Sequence, residues 1–262
     1  MKDTILFGDC RKTISTITEP VKMCVTSPPY YGLRDYGGEE NQIGMEESPE
    51  KYVDQLVEVF RNVREVLTDD GTLWLNIGDS YYNYRSDGNY PKQTVSKTRQ
   101  DLPTKTPVRG NKLEGYKSKD LIGIPWLLAF ALRKDGWYLR QDIIWNKPNP
   151  MPESVRDRCT KSHEYIFLFS KSKNYYFDVD AIKEPTVDGK GLKRKKSVWT
   201  VNTKPYKDAH FAVYPPELIE PCIKSGSQKG DIILDPFMGS GTTGMVSKLS
   251  LIHISEPTRR CT

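Results

Sequence analysis

The first segment of this chain with residue types suited to chemistry is Thr26-Ser27-Pro28-Pro29-Tyr30. Two successive prolines hold φ near about −65° and remove two N–H donors, which makes a stiff elbow. The elbow presents the Ser27 side chain, backbone carbonyls without competing donors, and the Tyr30 ring. Such acceptors can bind the hydrogens of an exocyclic amine and free its lone pair, and the ring can stack on an extruded base. Taken alone, the segment also fits a turn that merely ends a strand.

The second segment follows an apolar run and precedes a helical pattern. Its glycines, Gly239 and Gly241, permit positive φ and a close approach of the backbone to a ligand. The helix that follows leaves its first N–H groups unpaired. These features predict a cradle for a small molecule, whereas the lack of a Gly-Lys-Ser/Thr sequence argues against nucleotide hydrolysis. The whole segment reads Asp235-Pro236-Phe237-Met238-Gly239-Ser240-Gly241-Thr242-Thr243.

Alternating strands and helices must position both segments. Strands are predicted at residues 4–8, 22–26, 72–77, 138–145, 164–169 and 231–234, a turn at residues 69–71, and helices at residues 11–17, 49–67, 125–134, 216–224 and 242–249. This order is typical of a parallel sheet covered on both faces. Because parallel strands end at a common edge, the elbow and the cradle are expected to lie side by side.

Composition narrows the class of protein. Charged residues make up 28% of the 262 residues and hydrophobic residues 37%, as in an ordinary folded domain. No apolar run approaches the ~20 residues that span a bilayer, and the N-terminus does not resemble a signal peptide, so we expect a cytoplasmic protein without membrane contact. The five cysteines form no Cys-x-x-Cys pair and only three histidines are present. We therefore predict reduced, buried thiols and no metal site.

Together the elbow and the cradle resemble motif IV and motif I of amino-directed DNA methyltransferases. Their order resembles the permuted β group of that family, in which the base-binding motif precedes the cofactor motif. The similarity extends over residues 3–249. Supporting stretches that also resemble the family are residues 8–10, 71–79, 145–152 and 163–169.

The resemblance implies an α/β fold, a doubly wound and mostly parallel sheet of the S-adenosylmethionine (AdoMet)-dependent methyltransferase type, in one domain at residues 1–249. It implies AdoMet as cofactor and double-stranded DNA with a flipped target base as partner, and it leaves open a cognate restriction endonuclease. Catalytic positions carried over are Ser27, Pro28, Pro29 and Tyr30. Cofactor-binding positions carried over are Asp9 near the adenine ring, Phe211 and Pro215 at the methionine end, and Asp235, Pro236, Phe237, Gly239, Ser240, Gly241 and Thr242.

The expected target base follows from Ser27, the residue before the two prolines of the elbow. In this family Ser-Pro-Pro-Tyr goes more often with cytosine N4, and Asp- or Asn-Pro-Pro-Tyr with adenine N6, so Ser27 favours N4-cytosine with N6-adenine as the alternative. Cytosine-C5 enzymes use a Pro-Cys nucleophile, but Pro221-Cys222 falls within a predicted helix and Cys222 is interpreted as core. A catalytically inactive DNA-binding module remains a rival, and methylation of RNA or of a protein amide is a weaker one.

Two basic stretches are interpreted as DNA contacts. Residues 183–207 carry eight Lys or Arg against two acids, and the inserted residues 83–118 carry eight against three. Such residues would add a salt-dependent phosphate contribution to binding, although a solvated charged loop is the alternative. The first stretch lies where the family keeps its target-recognition region. The DNA-binding residues assigned there are Lys193, Arg194, Lys195, Lys196 and Trp199.

Residues 250–262 do not continue the family pattern, which calls for a strand ending in an acidic residue near the cofactor ribose. We interpret them as a non-native tail. On that view the strand at residues 4–8 loses a neighbour, and AdoMet binding by this chain is expected to be weak. Residues 251–254 are an alternative for the missing strand, which would bring Glu256 near the ribose.

Overall fold

The computed structural model describes residues 4–32, 42–82, 112–204, 214–249 and 255–257. The strands are β1 (Thr4–Leu6), β2 (Val21–Thr26), β3 (Leu67–Ile77), β4 (Tyr138–Asn146), β5 (His163–Ser170), β6 (Glu184–Pro185), β7 (Leu192–Lys193), β8 (Val198–Thr200), β9 (Ile233–Leu234) and β10 (Ser255–Pro257). The helices are α1 (Cys10–Thr13), which continues into a 3-10 turn (Ile14–Thr16), α2 (Pro49–Val66), α3 (Ile124–Lys134), α4 (Pro216–Gly226) and α5 (Thr242–Leu249).

Six strands form the central sheet in the order β8-β4-β5-β3-β2-β9. Strands β3 and β9 flank β2 and run parallel to it, and β8 runs parallel to β4. Strand β5 is antiparallel to both β3 and β4. The first residues of β5 therefore lie at the edge where β2, β3 and β4 end.

Alternate residues of each strand point to opposite faces of the sheet, as the pleat requires. Leu73 and Leu75 pack with α2 and α3 on one face, and Trp74 packs with α4 on the other. Ser48 is the N-cap of helix α2, and its Oγ accepts a hydrogen bond from the backbone N–H of Lys51 at 3.3 Å. Helices thus cover both faces, which confirms the predicted doubly wound α/β fold.

The predicted turn at residues 69–71 is wrong, because those residues belong to β3. The register between β2 and β3 shifts there, since Val21 pairs with Leu67 whereas Met23 pairs with Thr72. A Cβ at Gly71 would come within 2.9 Å of the Thr68 carbonyl oxygen. Glycine therefore lets the strand absorb extra residues as a bulge instead of turning.

The basic stretch 183–207 contains strands that the sequence did not suggest to us. Strands β6 and β7 form a small antiparallel hairpin, and β8 adds to the edge of the central sheet. The signal in the sequence was the run Val198-Trp199-Thr200, three residue types that favour strands.

The expected vacancy beside β1 is filled. Strand β10 pairs with β1 in parallel, with Thr4 opposite Ser255 and Ile5 opposite Glu256, and it also contacts β9. The strand that pairs with β1 is thus Ser255–Pro257. Three backbone pairs are enough to extend a parallel edge.

The cysteines depart from the expectation of uniformly reduced, buried thiols. Cys24 and Cys222 are free and buried, and Cys159 is free but exposed. Cys10 is disulfide-bonded. No helix within the described ranges is both long and apolar enough to cross a membrane.

Candidate functional site

The elbow and the cradle meet at one edge of the sheet. Strands β2 and β9 are parallel neighbours, with Met23 opposite Ile233 and Cys24 opposite Leu234. Each chemical segment starts within two residues of the end of its strand. The Thr26 hydroxyl donates a hydrogen bond to Oδ1 of Asp235 at 2.5 Å, so the two segments touch directly.

Asp235 supports the cradle from beneath. It is 1% exposed, and its carboxylate accepts from Thr243 Oγ1 at 2.5 Å, from the Phe237 backbone N–H at 3.0 Å and from the Tyr214 hydroxyl at 3.1 Å. Burial raises the pKa of Asp235, and the hydrogen bonds from Thr243, Thr26, Phe237 and Tyr214 oppose that effect only in part. These four donors hold Asp235 in place at the start of the cradle.

The cradle itself is open. Gly239 has φ +55° and Gly241 has φ +81°, values that favour glycine, and the Gly241 N–H donates to the Met238 carbonyl at 2.9 Å. A Cβ at Gly241 would meet no atom within 4 Å. A Cβ at Gly239 would meet only the Phe237 carbonyl oxygen, at 3.8 Å, among the residues that the structure describes.

The other residues predicted to bind the cofactor differ in their exposure. Gly239 and Ser240 are exposed, whereas Pro236 and Thr242 are buried. Phe237 is partly buried, and its ring meets Phe60 of α2 edge-on at 6.5 Å between centroids. Pro215 is buried at the start of α4. Phe211 lies outside the described residues.

Asp9 is engaged by its own helix. Its carboxylate accepts from the Arg11 backbone N–H at 3.0 Å and from Arg11 Nη2 at 2.7 Å, and it caps α1. Burial raises the pKa of Asp9, but the hydrogen bonds and the charge of Arg11 outweigh burial and lower it. An adenine amino group would have to compete with Arg11 for this carboxylate.

The elbow differs in one respect from the prediction. The Pro29 carbonyl is not free, because the Tyr52 hydroxyl of α2 donates to it at 2.8 Å. Because proline has no N–H with which to stabilise the turn, a side chain of α2 stabilises it instead. Among the described residues, none donates to the Pro28 carbonyl, and Ser27 is partly exposed. The Ser27 hydroxyl donates a hydrogen bond to the Tyr30 side chain and so keeps its own oxygen as an acceptor.

The Tyr30 ring is fixed at its hydroxyl and on one face. The hydroxyl donates to Oε2 of Glu164 at 2.7 Å. A Cβ at Gly78 would lie 2.6 Å from Tyr30 Cε2, so only glycine leaves room for the ring. Burial and the charge of Glu164 raise the pKa of Tyr30 well above its ordinary value. Sequence reasoning assigned no role to Glu164, Tyr52 or Tyr214, because these contacts join residues far apart in the chain.

The basic stretch gives a mixed result. Arg194 and Lys196 are exposed, and Lys193 and Lys195 are partly exposed. Trp199 is 5% exposed, and its Nε1–H donates to the Lys196 carbonyl at 2.7 Å. The burial of Trp199 argues against its direct contact with DNA, whereas the neighbouring cations lie at the surface.

Two further predictions concern groups outside the site. Cys222 is 0% exposed within α4, and burial raises the pKa of its thiol, so its interpretation as core is confirmed. In the part of the chain that the structure describes, no group of three or more His, Cys, Asp or Glu side chains could hold a metal ion.

Comparison with known proteins gives consistent findings. Residues 21–251 match the family model N6_N4_Mtase, described as DNA methylase. The chain is 52% identical to the Type II methyltransferase M.XycI of Xanthomonas campestris pv. cyanopsidis, over 93% of this chain and 79% of that protein. It is 52% identical to M.SmaI of Serratia marcescens, over 92% of this chain and 81% of that protein.

Solved structures show the same fold at low identity. The PvuII DNA methyltransferase (cytosine-N4-specific) aligns with a TM-score of 0.69 and 16% identity, over 99% of this chain and 83% of that chain. A DNA modification methylase of Thermus thermophilus, in complex with S-adenosyl-L-methionine, aligns with a TM-score of 0.63 and 22% identity, over 97% of this chain and 87% of that chain.

Proposed function

This chain belongs to the N6_N4_Mtase family of DNA methylases, and from that premise we propose that it transfers a methyl group from AdoMet to the exocyclic N4 of cytosine in double-stranded DNA. The observation that carries the proposal is the hydrogen bond between Thr26 and Asp235, which joins the elbow to the cradle. We propose further that the arrangement is the permuted one, with the base-binding elbow preceding the cofactor cradle.

The methyl donor is AdoMet, which supplies an electrophilic methyl group on a sulfonium. The cradle fits such a ligand, since the positive-φ glycines Gly239 and Gly241 leave the backbone accessible. The hydrogen bond from Thr243 to Asp235 restrains the loop and limits the conformations that it can adopt. Preorganisation of this kind lowers the cost of binding.

The elbow binds the amine. The Ser27 side chain and the Pro28 carbonyl accept the two hydrogens of the amino group, which localises the nitrogen lone pair. That lone pair forms the new bond to the methyl carbon in line with the carbon–sulfur bond, whose electrons go to sulfur. The amine then releases one proton to solvent. Positioning supplies most of the rate, and no covalent enzyme intermediate is involved.

Access to an amine inside a duplex requires the base to leave the stack. The partly exposed Tyr30 ring provides a surface on which the extruded base can stack. Arg194 and Lys196 supply the phosphate contacts, because both are exposed cations on the segment that follows β7. The Type II relatives favour a restriction-modification context, in which a cognate endonuclease is a partner.

Nucleoside mass spectrometry tests the target base. Unmethylated DNA is treated with the 262-residue chain and AdoMet, digested to nucleosides and compared with DNA treated without enzyme. The proposal predicts N4-methylcytosine. N6-methyladenine alone would show that the target is adenine, and 5-methylcytosine would contradict the direct-attack mechanism.

A further inference from the structure

A polar cluster next to the elbow has no role in the mechanism above. Besides the Tyr30 hydroxyl, Oε2 of Glu164 accepts from Asn76 Nδ2 at 3.3 Å. Its other oxygen, Oε1, forms an ion pair with Lys147. The Lys147 ammonium also lies 4.1 Å from the centre of the Trp145 ring. Both oxygens of Glu164 are thus held, one by Lys147 and the other by Tyr30 and Asn76.

The cluster joins four strands at the edge that carries the site. Tyr30 follows β2, Asn76 lies near the end of β3, and Lys147 follows β4. Glu164 lies at the start of β5, which reaches this edge because it is antiparallel to its neighbours. The elbow is therefore tied to the half of the sheet that lies away from the cradle.

We infer that Glu164, held by Lys147, is a positioning residue that sets the orientation of the Tyr30 ring toward the target base; the inference rests on the proposed function. Glu164 fixes the hydroxyl end of the ring, and Gly78 lies against one face. Together with the hydrogen bond between the Ser27 side chain and the Tyr30 side chain, these contacts restrain the direction in which the ring points.

Stability alone does not account for this ion pair. The Glu164 side chain is 15% exposed and that of Lys147 16% exposed, so both charges have lost most of their water. Replacing a buried pair of this kind by apolar residues is often neutral or stabilising. A carboxylate is, however, an acceptor only, so the phenol beside it always donates. The raised pKa of Tyr30 keeps that proton in place.

The central variant of the experiment removes both charges of the pair together, so that neither is left without its partner. Methyl transfer from [methyl-³H]AdoMet to unmethylated plasmid DNA is measured for the full chain, for Glu164→Gln, and for Glu164→Leu combined with Lys147→Met. We expect the apolar pair to keep the melting temperature and the Kd for AdoMet while kcat falls on the order of tenfold or more. Glu164→Gln retains an oxygen acceptor and is expected to keep kcat within about threefold.

A double-mutant cycle separates positioning from a general structural effect. Tyr30→Phe removes the hydroxyl, so its addition to the apolar pair should cause no further loss. Losses that multiply would overturn the inference. The matched control is Asp70→Asn, which breaks the Lys22–Asp70 ion pair at the opposite edge of the sheet and should leave kcat unchanged. A second apolar pair, Glu164→Met with Lys147→Leu, repeats the test with different packing.

The outcomes are distinguishable. Wild-type chain that binds AdoMet and DNA but transfers no methyl group contradicts the proposed function, and the inference falls with it. Active wild type together with an apolar-pair variant of unchanged kcat overturns the inference alone and leaves the proposed function standing.

Discussion

The cradle and the elbow lie side by side but are supported in opposite ways. The cradle is supported by Asp235, which is buried and accepts hydrogen bonds from hydroxyl groups and from one backbone N–H of the described residues. The elbow is restrained at Tyr30, whose hydroxyl donates a hydrogen bond to Glu164. Glu164 in turn forms an ion pair with Lys147. The cradle thus depends on one buried acceptor of several hydrogen bonds, whereas the elbow depends on a charged pair at the Tyr30 hydroxyl.

The comparison predicts that damage to the two supports will have different consequences. Loss of the support beneath the cradle should affect folding and cofactor binding together. Loss of the groups at the elbow should spare both and affect turnover.

Asp235→Ala should have the largest effect. The hydroxyls of Thr26, Thr243 and Tyr214 lose their shared acceptor, and buried polar groups without partners are costly. We expect a loss of about 3 kcal/mol in the free energy of unfolding and no measurable AdoMet binding. The matched control is Asp231→Ala, which removes only the acceptor for the Gln228 N–H in a partly exposed turn. Equal effects of the two substitutions would contradict the account of Asp235.

Gly241→Ala should weaken AdoMet binding. Alanine is strained at φ +81°, and its methyl group would enter the space left for the ligand. We expect the Kd for AdoMet to rise on the order of tenfold, measured by isothermal titration calorimetry. Gly189→Ala is the control, because Gly189 has φ +69° with open space around it, on the β6–β7 hairpin. If both variants bind AdoMet equally well, the cradle is not the cofactor site.

The pH dependence of stability should reveal the burial of Asp235. Its pKa is raised above the ordinary value of 3.8, so its contribution to stability is complete below that value and is lost as pH rises through the folded-state pKa. Wild type should therefore lose stability relative to Asp235→Asn as pH increases, by at most about 1.4 kcal/mol per pH unit. Urea unfolding at a series of values from about pH 4 to about pH 8 measures the difference, and a constant difference over that range would refute the assigned direction.

A smaller effect is expected at the DNA surface. Replacing Arg194 and Lys196 with serine removes two exposed cations and should reduce the slope of log K against log salt by about 1 to 2. Fluorescence anisotropy with a labelled duplex at several salt concentrations measures that slope. The control, Lys134→Ser with Lys173→Ser, removes two exposed cations at the opposite edge of the sheet. Identical slopes in the two double variants would remove the assignment.

The sequence predicted those features that depend on local pattern. The spacing of Leu56, Val59, Phe60 and Val63 predicted α2, and the glycines of the cradle predicted its positive φ angles. The meeting of elbow and cradle followed from the rule that parallel strands end together, without knowledge of the strand order. Fold class and site location were therefore accessible from the sequence.

Features set by contacts between distant residues were not accessible. Tyr52 lies 23 residues from Pro29, and Glu164 lies 134 residues from Tyr30. Trp199 was assigned to DNA contact from the net charge of its segment. Net charge does not show that successive side chains of a strand point to opposite faces of the sheet. The edge-strand position of Trp199 beside Trp145 could be known only once β8 was paired with β4.

The division between elbow and cradle is tested most directly by Ser27→Ala, analysed for AdoMet affinity and for kcat on DNA in the same preparation. Removing the hydroxyl takes away an acceptor for the amine but touches no part of the cradle. The account predicts an unchanged Kd for AdoMet and a kcat lower by on the order of 100-fold. Loss of AdoMet binding, or methyl transfer at the wild-type rate, would contradict it.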